Sequence, residues 1–295
     1  MKKIFNQRNR KNNNAAADFT LAAAGISSAQ TAYLKSLRRY KMSVYIFRFL
    51  ILFGFLLLWE IASFTGLVDS FFFSSPSRVV TLFIDMSRDF EIWQHIRITL
   101  AETLLSFLII TVISTVSAIL LISLPKTAEV LEPILVVLNA LPKSALAPLI
   151  IVWLGTGMNT IIIAGISVAL FGSVINMYTG FQQVEKEKIK LIRTLGGTKR
   201  DALRLVMLPA SVPILISNMK VNIGLALVGV IIGEFLAAKQ GLGYLIIYGS
   251  QVFQLDLLIM SILILCIIAL VLYQSLQLIE NRINGKSSRG KSSRS

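Results

Sequence analysis

Residues 184–213 read VEKEKIKLIRTLGGTKRDALRLVMLPASVP, a polar and basic insert in a chain that is otherwise strongly apolar. At helical spacing, Leu191, Ile192 and Leu195 share one face, with Lys188, Lys190 and Arg193 around them. Gly196-Gly197 breaks that helix. Thr198, with Asp201 three residues on, has the pattern of an N-cap with a weak capping box. A second short helix should bury Ala202, Leu205 and Val206 on one side, and Leu208-Pro209 should end it and open the next apolar run. The expectation is helix, glycine turn, helix at the membrane surface, with an apolar ridge facing outward. Residue chemistry alone leaves two uses open: docking of a protein partner, or contact with anionic lipid.

The surrounding chain belongs to the membrane class. Of its 295 residues, 55% are hydrophobic and only 15% charged, and the mean hydropathy is +0.74. A net charge of +14 on a soluble protein would suggest nucleic acid. Here the basic residues gather in three segments outside the apolar runs, so membrane topology accounts for them. The one cysteine, Cys266, excludes an internal disulfide and a zinc cluster, and is expected to be a small buried hydrophobe. The one histidine, His95, is read as a solvated side chain in a polar loop.

The apolar runs mark an all-α integral membrane protein of six spans, over about 44–64, 98–124, 130–154, 160–178, 212–236 and 255–279. Residues 1–44 form a basic cytoplasmic arm, partly disordered, with a weak amphipathic helix over 15–36. Residues 45–280 hold the spans and 281–295 a basic, flexible tail. After the first span, the aromatic run at 71–78 ends in a proline turn and 79–90 forms a surface helix. Glu102 lies near the start of the second span, whose Thr99, Thr103 and Ser106 side is polar enough to face other helices. Pro125, Lys126 and Glu129 make a tight inner turn. Pro133, Pro142 and Pro148 forbid a straight third span, and broken helices at membrane depth must be buried in protein or line a cavity. Lys143 lies in that span, where a lysine costs about 2.5–3.5 kcal/mol on insertion scales. It must face the bundle interior, a cavity or an interface, either as a structural residue beside the kink or as a cationic contact for an anionic substrate. In the fifth span Gly229 and Gly233, with Gly224 upstream, allow close helix packing, within the subunit or at a pore or dimer face. The arm, the loop at 181–209 and the tail carry nine, seven and five Lys and Arg, against three, none and one in the segments between. Both termini and the basic loop are therefore cytoplasmic.

The loop's spacing resembles the cytoplasmic signature of bacterial ABC importer permeases: Glu-Ala-Ala, three residues, Gly, nine residues, Ile, any residue, Leu-Pro. Gly196, Val206 and Leu208-Pro209 take their places, whereas Lys190-Leu191-Ile192 replaces Glu-Ala-Ala. The run ALPKSALAPLIIVWLG at 140–155 resembles the family's third span. Glu234 with Gly241-Leu242-Gly243-Tyr244 resembles the ending of its fifth, with the glycines making a tight outer turn. The FFFSSPSR run at 71–78 resembles the nitrate, sulfonate and taurine branch. The likeness spans about residues 50–280.

This resemblance implies a six-helix bundle of the type I importer permease type. It implies a coupling loop in which Leu191, Ile192, Gly196, Gly197, Ala202, Leu205, Val206, Leu208 and Pro209 meet an ATPase subunit. Lys143, Ser144, Asn176, Asn222 and Glu234 are the candidate pathway residues. The implied partners are two ATPase subunits, a second permease copy expected to be this same chain, an extracytoplasmic binding protein and the bilayer of a bacterial plasma membrane. No cofactor is expected on this chain, and ATP and Mg belong to the partner ATPase. There is no HExxH, GxSxG or CxxC motif, so an enzyme is a poor reading. The competitors are a secondary carrier, weakened by the lack of a repeat relating spans 1–3 to 4–6, and a membrane scaffold. The implied substrate is a small organic anion such as an aliphatic sulfonate, taurine or nitrate, or alternatively a thiamine-precursor pyrimidine or other vitamin.

Overall fold

The computed structural model describes residues 28–292, and every regular element among them is a helix. The part of the arm before residue 28, with most of the helix expected over 15–36, and residues 293–295 of the tail lie outside the described residues. The chain divides into two units after Val68. In the first, α1 (Ser28–Phe64) is one helix that includes the expected first span and the stretch before it.

The second unit contains the remaining elements. A turn of helix, α2 (Ser70–Phe73), precedes α3 (Pro76–Arg88). Ser75 caps α3 by accepting from the Arg78 N–H, and Pro76 sits at the first helical position, where its missing N–H costs nothing. The amphipathic α3 buries Val79 against the outer core. The spans follow as α4 (Glu91–Ser123), the pair α5 (Pro125–Ala140) and α6 (Lys143–Leu154), and α7 (Met158–Gln182). The basic insert forms α8 (Lys186–Thr194) and α9 (Lys199–Ala202), which runs through a π-helical segment at Leu203–Met207 into α10 (Leu208–Ala237). The chain closes with α11 (Leu242–Gln251) and α12 (Leu255–Ser292). Among the described residues five helices are long and apolar enough to cross a membrane, or six where the bent pair α5–α6 counts as one broken span.

Several expectations need correction. Pro125, Lys126 and Glu129 do not form a turn: Pro125 opens α5, and only Leu124 separates α4 from α5. The third span breaks at one proline rather than three. Pro133 and Pro148 remain inside helices, while Leu141 is extended at φ −62°, ψ 137°, as a residue before proline prefers, and the two halves meet at 93°. The outer turn after the fifth span contains a ten-residue helix, α11. Helix α12 continues to residue 292, into the expected flexible tail. Cys266 is exposed, because α12 turns one side out of the bundle.

The second unit is built around the crossing of α7 and α10, with α4 packed against both. A Cβ on Gly229 would stand 2.7 Å from the Gly165 Cα and 3.0 Å from the Ala164 carbonyl oxygen. One on Gly233 would stand 3.0 Å from the Ile161 Cα. These contacts are to backbone, so they cannot be relieved by turning a side chain. Gly224, by contrast, has nothing within 4 Å. An apolar cluster at each end fixes the neighbours. Ala118, Leu121, Ala128, Met177 and Phe181 join α4, α5 and α7 at the inner end. Ile92, Leu227, Leu242, Leu245 and Met260 join α4, α10, α11 and α12 at the outer end.

Adding a methyl group at Gly229 should cost about 1–3 kcal/mol of overpacking. Gly229→Ala is expected to lower the denaturation midpoint of the purified protein, and Gly224→Ala, which adds helix propensity in open space, to hold or raise it.

Candidate functional site

The basic insert is a closed local structure. Helix α8 ends in a Schellman motif: the Gly197 N–H donates to the Ile192 carbonyl at 2.9 Å and the Gly196 N–H to the Arg193 carbonyl at 3.0 Å. Gly196 supplies the left-handed residue this motif needs, at φ +85°. A Cβ at Gly197 would stand 2.6 Å from the Ile192 Cγ2, so the second glycine is required for space. Thr198 then caps α9 with a full capping box: its N–H donates to Asp201 Oδ2 at 2.8 Å, and the Asp201 N–H donates back to Thr198 Oγ1 at 3.3 Å.

The side chains divide sharply. Ala202 is buried, and Ile192 and Val206 are half-buried. Leu191, Leu195 and Leu205 are 58%, 75% and 66% exposed and form the apolar ridge. Leu205 was expected on the buried side. The π-helical segment holds more residues per turn, which shifts the register and turns this side chain outward. The same segment corrects the expected helix end at Leu208-Pro209. The Leu208 N–H bonds back to the Leu203 carbonyl, and the wider turn lets the chain run past Pro209 without a break.

At the break in the third span, the Lys143 ammonium donates to the Leu138 carbonyl at 2.5 Å, one of the carbonyls orphaned at the end of α5. It also lies 5.4 Å from the centre of the Phe171 ring on α7. Asn139 sits against Gly172 on the same helix. Ser144 and Asn176 are exposed, Asn176 one turn on from Gly172. Asn222 and Glu234 lie elsewhere, buried inside the subunit. Asn222 and Asn218 both donate to Ser173 Oγ, at 2.7 and 2.8 Å.

Glu234 belongs to a polar clamp at the outer end. Three successive amides at the start of α11 have no helical carbonyl to bond. The Gly241 N–H donates to His95 Nδ1 at 2.9 Å, the Leu242 N–H to Thr99 Oγ1 at 2.8 Å, and the Gly243 N–H to Glu234 Oε2 at 2.5 Å. Thr99 closes the loop by donating its hydroxyl to Glu234 Oε1 at 2.7 Å. A Cβ at Gly241 or Gly243 would collide with Glu234, which explains both glycines of Gly-Leu-Gly. His95 is therefore not a solvated loop residue. It lies within α4, is buried, and stacks on Tyr244 with ring centres 6.3 Å apart. Its nitrogen accepts an N–H, so the ring's proton sits on Nε2. The signal was its spacing: His95, Thr99, Thr103 and Ser106 form one polar stripe at helical intervals.

An all-α chain of five to six candidate spans with a basic hairpin between α7 and α10 has the fold of a type I ABC importer permease. A MetNI methionine ABC transporter in an inward-facing conformation shares it, with a TM-score of 0.58 at 19% identity over 66% of this chain and 96% of that one. A probable ABC transporter permease protein of Haemophilus influenzae is 31% identical over 227 residues, covering 77% of this chain and 92% of that one. The riboflavin transport system permease protein RibX of Chloroflexus aurantiacus is 27% identical over 225 residues, 76% and 84% of the two chains. The taurine transport system permease protein TauC of Escherichia coli is 23% identical over 231 residues, 76% and 83%. Residues 111–285 match the family described as binding-protein-dependent transport system inner membrane component, and the chain belongs to that family.

Thr99→Val keeps the shape of the side chain and removes the hydroxyl that serves both Leu242 and Glu234. Each polar group left unpaired costs about 1–3 kcal/mol. Amide hydrogen exchange at residues 241–244 should accelerate in this variant while exchange in α7 is unchanged.

Proposed function

We propose that this chain forms the translocation pathway of an importer for a small organic anion such as an aliphatic sulfonate, taurine or nitrate. In this proposal two copies of the chain in a bacterial plasma membrane pair with two ATPase subunits and an extracytoplasmic binding protein. ATP and Mg are held by the ATPase subunits. The observation that carries the reading is the exposed ridge of Leu191, Leu195 and Leu205 on a hairpin locked by its own caps. Three leucines held outward on a rigid support suit a protein groove, and the basic residues around them match the cytoplasmic side.

ATP closing the ATPase dimer would draw the two hairpins together and swing the bundle outward. Moving such an equilibrium from 1:99 to 99:1 takes about 5.5 kcal/mol of differential binding. A floppy loop could not carry that bias, whereas one continuous with α10 can. For the pathway, Lys143 spends one N–H on Leu138 and keeps two for an anion, with Ser144 and Asn176 exposed as polar neighbours. TauC's name supports a sulfonate. A vitamin substrate is the second reading, favoured by the likeness to RibX.

Loss of a hot-spot contact costs about 2 kcal/mol or more, roughly thirtyfold in affinity. Leu195→Glu should therefore abolish substrate-stimulated ATP hydrolysis in the reconstituted complex without changing the amount of chain inserted. Full stimulation in that variant would remove the docking role. Lys143→Met should reduce uptake of taurine or an alkanesulfonate in proteoliposomes. Uptake of riboflavin in place of the sulfonate, unchanged by Lys143→Met, would establish the vitamin reading instead.

A further inference from the structure

His95 is the chain's single histidine, and its bond in the outer clamp exists in only one protonation state of the ring. Nδ1 takes the Gly241 N–H at 2.9 Å, and a ring nitrogen accepts only while its lone pair is free. A ring that gains a second proton is a donor at both nitrogens. Two N–H groups would then face each other at the start of α11, and the bond that ties this turn to α4 would be lost. The Thr99 hydroxyl, which holds the next amide, does not titrate. Histidine is the side chain whose charge ordinarily changes between about pH 5 and 8.

Protons can reach this ring. His95 borders a cavity of about 420 Å³, with Glu91, Tyr244, Tyr248 and Gln254 in its lining. Glu91, Tyr248 and Gln254 are exposed, so the cavity opens at the outer surface, and it has room for several waters. A charged ring also has a partner at hand. Glu91 stands one turn earlier on α4, at the spacing where side chains on a helix meet. Tyr244 stacks on the imidazole with the planes 9° apart, and Tyr248 stacks on Tyr244 with ring centres 5.9 Å apart. The other elements around the ring present no competing charge to the cavity: α3 contributes Leu82 and Met86, and α12 contributes Leu257. Arg78 of α3 and Asp256 of α12 are paired with each other at 2.7 Å. Glu234 of α10 is engaged by the Thr99 hydroxyl and the Gly243 N–H, and Lys239, in the turn before Gly241, is exposed.

We propose that His95 is an acid-sensitive latch on the outer end of the permease. The neutral ring accepts the Gly241 N–H and holds α11 against α4. Protonated at Nδ1 from the cavity water, the ring releases Gly241 and turns to the Glu91 carboxylate. The start of α11 is then held only through Leu242 and Gly243, and the outer end opens more readily as the outside becomes acid. The latch works whatever solute is carried.

The full chain in lipid, carrying nitrogen-labelled histidine, offers one imidazole to follow by magnetic resonance. At about pH 8 its shifts should be those of the Nε2–H form, and by about pH 5 those of the doubly protonated ring. Over the same range the protection of the Gly241 amide against hydrogen exchange, corrected for the intrinsic effect of pH, should fall roughly tenfold. Protection in α7 should not change. His95→Asn, whose side-chain oxygen can stand in for Nδ1 but does not titrate, should keep Gly241 protected in acid. The proposal is overturned by an Nδ1–H form at about pH 8, by a ring that stays neutral down to about pH 5, or by a ring that titrates while Gly241 protection holds. An equal acid loss of protection in His95→Asn and the wild type would also overturn it. The wild-type measurements decide the matter even where His95→Asn does not fold.

Discussion

Within a bilayer there is no water to satisfy a broken helix, so each break in the chain has to be bonded by the protein itself. That constraint accounts for the polar side chains found at the breaks. At the Leu141-Pro142 break, Lys143 bonds a carbonyl left over at the end of α5 and rests its charge on Phe171. At the Gly241 turn, the three free amides go to His95, Thr99 and Glu234, each from a different register on two other helices. At the hairpin, where water is available, the solution is entirely local: two glycines and a capping box.

The hairpin and the Gly241 turn are joined by α10. From Lys199 to Ala237 the chain is helical for 39 residues, about 58 Å at 1.5 Å per residue. One end is the hairpin with its leucine ridge. The other carries Glu234, the centre of the outer clamp. Between them, Gly229 and Gly233 press α10 onto the backbone of α7, the helix that enters the hairpin from the other side. Both arms of the hairpin therefore attach to the most tightly packed pair of helices in the unit. On the proposed docking role, a push at the ridge would meet backbone contacts there that no side-chain rotation relieves. The π-helical segment at Leu203–Met207 is the one irregular turn in this path, and it lies below the packed region.

What could be read from the sequence was whatever is local. Apolar runs gave the spans, Gly196 and Thr198–Asp201 gave the hairpin, and the three prolines of the third span gave a break, though not that Pro142 alone makes it. Relations between distant residues were not legible. His95 meets Gly241 across 146 positions, and nothing near either residue indicates the other. Gly229 and Gly233 were recognisable as a packing surface, but the choice of α7 as partner depends on the whole arrangement of helices. An ideal helical period places Leu205 on the buried face, whereas the π turn leaves it exposed. Glu234 is visible as an acid in an apolar run, yet its bond with Thr99 arises only when α4 crosses α10.

On the proposed function the hairpin is the rigid point through which ATP binding would move the bundle. A spin label at Thr194, introduced as Thr194→Cys with Cys266→Ser, would report the separation of the hairpins in the assembled transporter by double electron–electron resonance. The account predicts a shift to a shorter, narrow distance when a non-hydrolysable ATP analogue binds, in both wild-type and Lys143→Met backgrounds. A distance distribution that does not change on nucleotide binding would contradict it.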